Sequence, residues 1–181
     1  SGKTALAAEF IRRWRDRVPV VALKAATVSR DGGGCPYGRH GCGLCSSMEA
    51  DYLLTREEDR DGPKDTSRLL AAGAHQVFWL RSTRAALPEA YGRFLEESLK
   101  GALVICESNS LREYVAPGCF IMMQNAAGPG KPSSRRVREM ADLTAANGFQ
   151  PDDLARIAER VKVAPSADGP TVSLRPAEAR F

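Results

Sequence analysis

Short apolar runs alternate with amphipathic segments of helical length along this chain, and that alternation restricts the fold more than any other feature. Pro19 to Leu23, His75 to Leu80, Ala102 to Cys106 and Cys119 to Met123 are apolar stretches of strand length. Between them, Thr4 to Arg17 carries Leu6, Phe10, Ile11 and Trp14 at helical spacing, with Arg12, Arg13, Arg15 and Asp16 opposite. Asp65 to Gly73 reads as a helix closed by a glycine, and Pro88 to Lys100 sets Tyr91, Phe94, Leu95 and Leu99 on one helical face. Strands alternating with such helices build parallel crossover units, so the expected fold is α/β: a mostly parallel sheet in three layers with helices on its faces. Helices are further expected over Arg135 to Asn147 and over Pro151 to Lys162, and Thr171 to Leu174 reads as an edge strand.

The chain has 181 residues, enough for one domain that buries roughly 70% of its unfolded surface. Residues 1–165 are expected to form that domain, with a Cys/Gly-rich loop at 29–47 and a tail or edge strand at 166–181. No run reaches the ~18 apolar residues that a membrane span requires, so no membrane partner is expected. The formal charge of +4 is spread along the chain, with short basic clusters at Arg12-Arg13 and Arg135-Arg136. Nucleic-acid binding calls for a basic stripe interleaved with stacking aromatics, and aromatics are only 7% here, which argues against it.

Ser1-Gly2-Lys3-Thr4 matches the second half of the phosphate-binding pattern Gly-x-x-x-x-Gly-Lys-Ser/Thr, and it opens the first amphipathic helix. In that pattern backbone N–H groups and the positive helix end converge on phosphate oxygens. Ser1, Gly2, Lys3 and Thr4 would form the nucleotide-binding loop, with Lys3 neutralising the terminal phosphates and Thr4 holding Mg²⁺. The competing reading makes Ser1 and Gly2 a simple helix cap. A Gly-Lys-Ser/Thr triplet arises by chance in roughly one chain in ten of this length, so its place at a helix start carries the argument. Ala102 to Cys106 ends in Glu107, a carboxylate that a parallel strand would aim at the metal near Thr4; the alternative is that Glu107 caps the loop Ser108-Asn109-Ser110. The resulting expectation is a P-loop NTPase-like sheet whose first strand is missing from the chain.

The stretch from Asp59 to Arg68 (Asp-Arg-Asp-Gly-Pro-Lys-Asp-Thr-Ser-Arg), continuing to Ala72-Gly73-Ala74, resembles the MobB family of molybdopterin-guanine dinucleotide biosynthesis proteins. The resemblance spans Ser1 to about Met123. It implies a GTP-binding accessory of molybdenum-cofactor or related metallocofactor maturation, at most a slow NTPase, acting on a biosynthetic partner or client enzyme. It assigns Gly2, Lys3 and Thr4 to phosphates and Mg²⁺, Asp65 to a segment that senses the terminal phosphate, and Glu107 to the acidic position after the strand. Catalysis would then rest on Lys3, Asp65 and Glu107, and Mg²⁺ would be held by Thr4 and Glu107. Asn125 is followed by Ala126 and Ala127 where a guanine-reading Asn-Lys-x-Asp motif would continue, so the residues leave GTP and ATP both open.

Three of the five cysteines crowd into eleven residues, Cys35 to Cys45, and an odd total argues against a disulfide framework. A cytoplasmic setting is therefore expected. Cys35, His40, Cys42 and Cys45 could complete a tetrahedral set for Zn²⁺, or the three thiolates could hold an iron-sulfur cluster with an outside ligand. The alternative is a glycine-rich loop with free thiols. On the metal reading the chain is a non-enzymatic metal-binding interaction module, the alternative to the nucleotide-binding function. An open sheet edge would also favour self-association, including a homodimer. His75 reads as a structural histidine, and Trp14, Trp79, Met122 and Met123 as core residues.

Overall fold

The computed structural model describes residues 2–28, 48, 50–124, 132–146 and 151–175. Elements follow the order α1 (Lys3–Trp14), β1 (Val20–Thr27), β2 (Tyr52–Arg56), α2 (Asp65–Ala71), β3 (Gln76–Ser82), α3 (Leu87–Glu97), β4 (Leu103–Glu107), β5 (Ile121–Gln124), α4 (Pro132–Arg136), β6 (Leu143–Ala146), α5 (Pro151–Glu159), β7 (Val161–Ala164) and β8 (Thr171–Leu174). Short 3-10 turns occupy Ser110–Glu113 and Arg138–Met140.

The main sheet has four strands in the order β2-β3-β1-β4. β1 pairs in parallel with both β3 and β4, and β2 runs antiparallel on β3. A strand sandwiched on both edges and both faces must be apolar throughout its buried length. Val20, Val21, Ala22 and Leu23 meet that demand and are fully buried. Their side chains alternate between faces: Val20 and Ala22 join Ala7, Ile11 and Trp14 of α1 and Leu69 and Leu70 of α2. Val21, Leu23 and Ala25 instead join Phe78 and Leu80 of β3 with Leu87, Ala90 and Phe94 of α3. The architecture is thus α/β, a mostly parallel sheet flanked by helices.

α2 ends where a glycine is required. Gly73 has a φ of +104°, its N–H donates to the Leu70 carbonyl at 3.0 Å, and the Ala74 N–H reaches Leu69 at 3.5 Å. Only glycine adopts that backbone without a Cβ penalty.

Two expected helices differ from the sequence reading: of the one expected over Arg135 to Asn147 only Arg135 and Arg136 are α-helical, at the end of α4, and the last helix stops early. Leu143–Ala146, expected within a helix from Arg135, is instead β6, paired in parallel with β5. Asp142 fixes that exchange: its N–H donates to the Phe120 carbonyl at 2.9 Å, and its carboxylate accepts the Phe120 N–H at 2.7 Å. These long-range bonds override the helix propensity of the alanines. Val161 and Lys162, expected at the end of the last helix, belong to β7, which forms an antiparallel pair with β8. The edge strand expected at Thr171 to Leu174 is present as β8. Trp14 and Met122 are buried as expected, whereas Trp79 and Met123 are half-buried.

Phe94 has no exposed surface and meets the Phe78 ring edge to face at 5.4 Å. Phe94→Ala should therefore lower the unfolding free energy by about 3–5 kcal/mol. Leu95→Ala, on the exposed side of the same helix, should cost under about 1 kcal/mol. Urea denaturation of both variants checks the difference.

Candidate functional site

The parallel register brings charged residues together where the strands leave the core. Lys24 of β1 is level with Glu107 of β4. The Lys24 ammonium pairs with Asp65 at the start of α2 and lies 4.0 Å from Glu107 Oε1. Thr4, in the first turn of α1, donates its hydroxyl hydrogen to Glu107 Oε2 at 2.8 Å across 103 residues of sequence. α1 and α2 pack on each other over the same sheet face, which places both helix starts at this end of the sheet.

Burial grades across the cluster. Thr4 is only 4% exposed and the Glu107 side chain 12%, whereas Asp65 keeps 40% of its side-chain surface. The Lys24 ion pair holds the Asp65 carboxyl below its ordinary value, against the opposing effect of burial; Arg68 and the nearby Thr4 hydroxyl add to the lowering. One ammonium faces two carboxylates, leaving a formal charge of −1 on these three groups. Their oxygens, with the Thr4 hydroxyl, are the hard donors that suit Mg²⁺.

A third carboxylate fixes the segment leading into α2. Glu57 accepts the Thr66 hydroxyl at 2.6 Å and has Lys64 at 3.8 Å. The hydrogen bond from Thr66 is the main cause that holds the Glu57 carboxyl below its ordinary value. Asp59 accepts the Asp61 N–H at 2.9 Å, closing a tight turn before Lys64.

Sequence reasoning placed Lys3, Thr4, Asp65 and Glu107 among the site residues. Thr4, Asp65 and Glu107 meet in one cluster. Gly2 is the N-terminal cap residue of α1 and makes no side-chain cap bond, while Lys3 lines a slot that ends beside Glu107. Ser1 lies outside the described residues, as do Cys35, His40, Cys42 and Cys45. No group of three or more His, Cys, Asp or Glu able to share a metal occurs among the described residues. His75 has a structural role: its Nδ1 accepts the Val20 N–H at 3.2 Å, and its own N–H donates to the Val20 carbonyl at 2.8 Å.

Lys24 is the residue that sequence reading passed over. Its signal was a lone lysine inside the run Val20 to Thr27, because a charge embedded in a buried strand requires a partner. No helix among the described residues is long and apolar enough to cross a membrane.

A carboxyl lowered in the folded state stabilises the fold above its unfolded value, and that contribution disappears as pH falls through the folded value. For Asp65 the loss begins near its ordinary value of 3.8 and extends below it. Stability should therefore drop on acidification below about pH 4, and Asp65→Asn should flatten part of that drop. Urea midpoints measured from pH 7 to pH 3 check the sign.

A scan against protein-family models, a search of curated proteins and a search of solved structures each return no match.

Proposed function

We propose that this chain binds a nucleoside triphosphate with Mg²⁺ at the start of α1, as a P-loop NTPase-like accessory protein in molybdenum-cofactor or related metallocofactor maturation. The observation that carries the proposal is the Thr4 to Glu107 hydrogen bond at 2.8 Å. A hydroxyl one residue after Gly2-Lys3, bonded to the carboxylate at the end of an adjacent parallel strand, is the pair of groups that a phosphate-bound Mg²⁺ requires. The Asp59 to Ala74 segment, which carries the family resemblance, supports the same reading because it delivers Asp65 to that pair.

In this function Gly2 and the first turn of α1 present backbone N–H groups to phosphate oxygens, and Lys3 neutralises them. Thr4, Glu107 and Asp65 supply oxygens for Mg²⁺ or for its bound water. The cation polarises the terminal phosphate when present. Lys24 holds Asp65 and Glu107 together through its ammonium, so an arriving divalent ion competes with it for the same oxygens. Hydrolysis is slow and draws its rate from positioning and charge neutralisation, and the nucleotide state changes how the protein meets its client enzyme.

Titration calorimetry with Mg-GTP and Mg-ATP tests the proposal. Loss of one charge-assisted contact in Lys3→Ala should weaken binding roughly 10- to 100-fold. Absence of binding to both nucleotides, or equal affinity in the variant, overturns it. Lys24→Met frees two carboxylates for a divalent ion, and Mg²⁺ affinity should rise by roughly tenfold. A fall in Mg²⁺ affinity would assign Lys24 to phosphate instead.

A further inference from the structure

Three segments far apart in sequence meet on one carboxylate at the surface. Glu113 ends the 3-10 turn that follows β4, Arg84 lies in the turn between β3 and α3, and Arg136 is the last residue of α4. Arg84 donates from both terminal nitrogens, Nη1 to Glu113 Oε1 at 3.0 Å and Nη2 to Oε2. Arg136 donates from Nε to the same Oε1 at 3.3 Å, so the two guanidiniums are neighbours. Glu113 keeps only 15% of its side-chain surface, whereas Arg84 keeps 45% and Arg136 49%. The carboxylate is thus largely covered, and the two guanidiniums face solvent. Leu111, two residues before Glu113, is buried with Leu87, Ala90 and Phe94, which places this surface on the α3 side of the sheet.

Two cations held side by side repel, and the one carboxylate they share leaves a formal charge of +1 on the three groups. Arg84 spends both terminal nitrogens on Glu113, but Arg136 engages only its Nε, and its terminal nitrogens have no partner among the described residues. A planar guanidinium already fixed at one side is pre-organised to take a second carboxylate, because the cost of ordering the side chain has been met. The surroundings extend this character. Val137 is fully buried and anchors the chain between Arg136 and Arg138, both of which are exposed. Tyr114 donates its hydroxyl hydrogen to the Arg84 carbonyl at 3.4 Å and keeps 45% of its surface, and Met140, at the end of the next turn, also keeps 45%. Arginine, tyrosine and methionine are enriched where proteins meet one another, while lysine and glutamate are depleted there.

We propose that Arg84, Arg136 and Arg138, with Tyr114 and Met140, form a docking surface for an acidic segment of a partner protein, one that carries aromatic or aliphatic residues between its carboxylates. The unengaged nitrogens of Arg136 take a carboxylate from the partner, Arg138 adds a second positive charge, and Tyr114 and Met140 cover the apolar side chains. Glu113 is a positioning residue, since it holds Arg84 and Arg136 in place from beneath. Nucleic acid fits this surface less well: its phosphates gain nothing from Met140, and a single tyrosine supplies no run of stacking rings. The surface uses none of the residues assigned to nucleotide or Mg²⁺, so it stands apart from that assignment.

The probe is a fluorescein-labelled peptide, Glu-Asp-Phe-Glu-Asp-Leu-Glu-Asp, titrated with the full chain at about 0.1 M salt without nucleotide. Fluorescence anisotropy should show saturable binding. Arg136→Glu should weaken it about tenfold or more, and Tyr114→Ala roughly threefold to tenfold. Arg12→Glu makes the same charge change at an exposed position of α1 and should leave the affinity within about twofold. In the unmutated chain the peptide should shift the backbone amides of Arg84, Tyr114 and Arg138 and leave those of Leu6 to Ile11 in place. The proposal is overturned if the peptide does not saturate, if Arg12→Glu weakens it as much as Arg136→Glu does, or if the shifts fall elsewhere. It is equally overturned if an oligothymidylate of equal charge binds more tightly and with the same dependence on Arg136, which would assign the surface to nucleic acid. Failure here leaves the nucleotide titrations unaffected, and failure of those titrations leaves peptide binding unaffected.

Discussion

The pairing of β1 on both of its edges is the constraint from which the rest of the structure follows. Val20 to Leu23 have no exposed surface, so the strand can carry charge only where it emerges from the helices packed on its faces. Lys24 stands at that point, and the same register that buries Leu23 against Cys106 brings Lys24 level with Glu107. A one-residue slip between these strands would turn every side chain to the wrong face, so the core and the charged cluster specify each other. Polar groups collect at the carboxyl ends of parallel strands because there the chain must leave the sheet and turn toward a helix.

Magnitudes separate what the cluster contributes to stability from what it contributes to shape. Taking an ion pair out of water costs several kcal/mol per charge before attraction offsets it, whereas an exposed pair is worth about 1 kcal/mol or less. The Lys24 to Asp65 pair lies between these limits, with 23% and 40% of the two side chains exposed. Its net energy is therefore small beside the apolar burial around Ile11, Leu23 and Phe94, each worth roughly 1.5–3 kcal/mol. Positioning is the larger effect. Lys24 connects β1 to α2, and Thr4 connects α1 to β4, so four elements meet at one point.

The α/β alternation was legible because the period of the apolar residues changes from element to element in β1, β3, β4, α1 and α3. It ceased to be legible where long-range bonds decide the outcome. Leu143–Ala146 carries alanines that favour a helix and becomes a strand through the two hydrogen bonds between Asp142 and Phe120, which lie 22 residues apart. Val161 fits a helical stripe as well as the head of a short strand, and pairing with Leu174 settles it. At the site, Thr4 and Glu107 could be nominated from motif and strand end. Lys24 was marked only as a charge in an apolar run; which carboxylates it meets depends on register, which no local pattern supplies. The cysteine-rich segment lies outside the described residues and adds nothing to this comparison.

Unpaired strand edges ordinarily invite association, and proteins blunt them with charge, proline or bulges. The outer edge of β4 has none of these along Leu103 to Cys106. Its apolar surface instead faces a slot enclosed by α1, Leu111 and the segment ahead of β5. Val104 and Cys106 on that edge keep exposed surface, while Leu103 and Ile105 turn toward α1. Lys3 of α1 and Glu107 of β4 both line the slot. Thr4, bonded to the end of β4, ties the first turn of α1 to this edge of the sheet, so a change in how that edge is packed acts on the helix start.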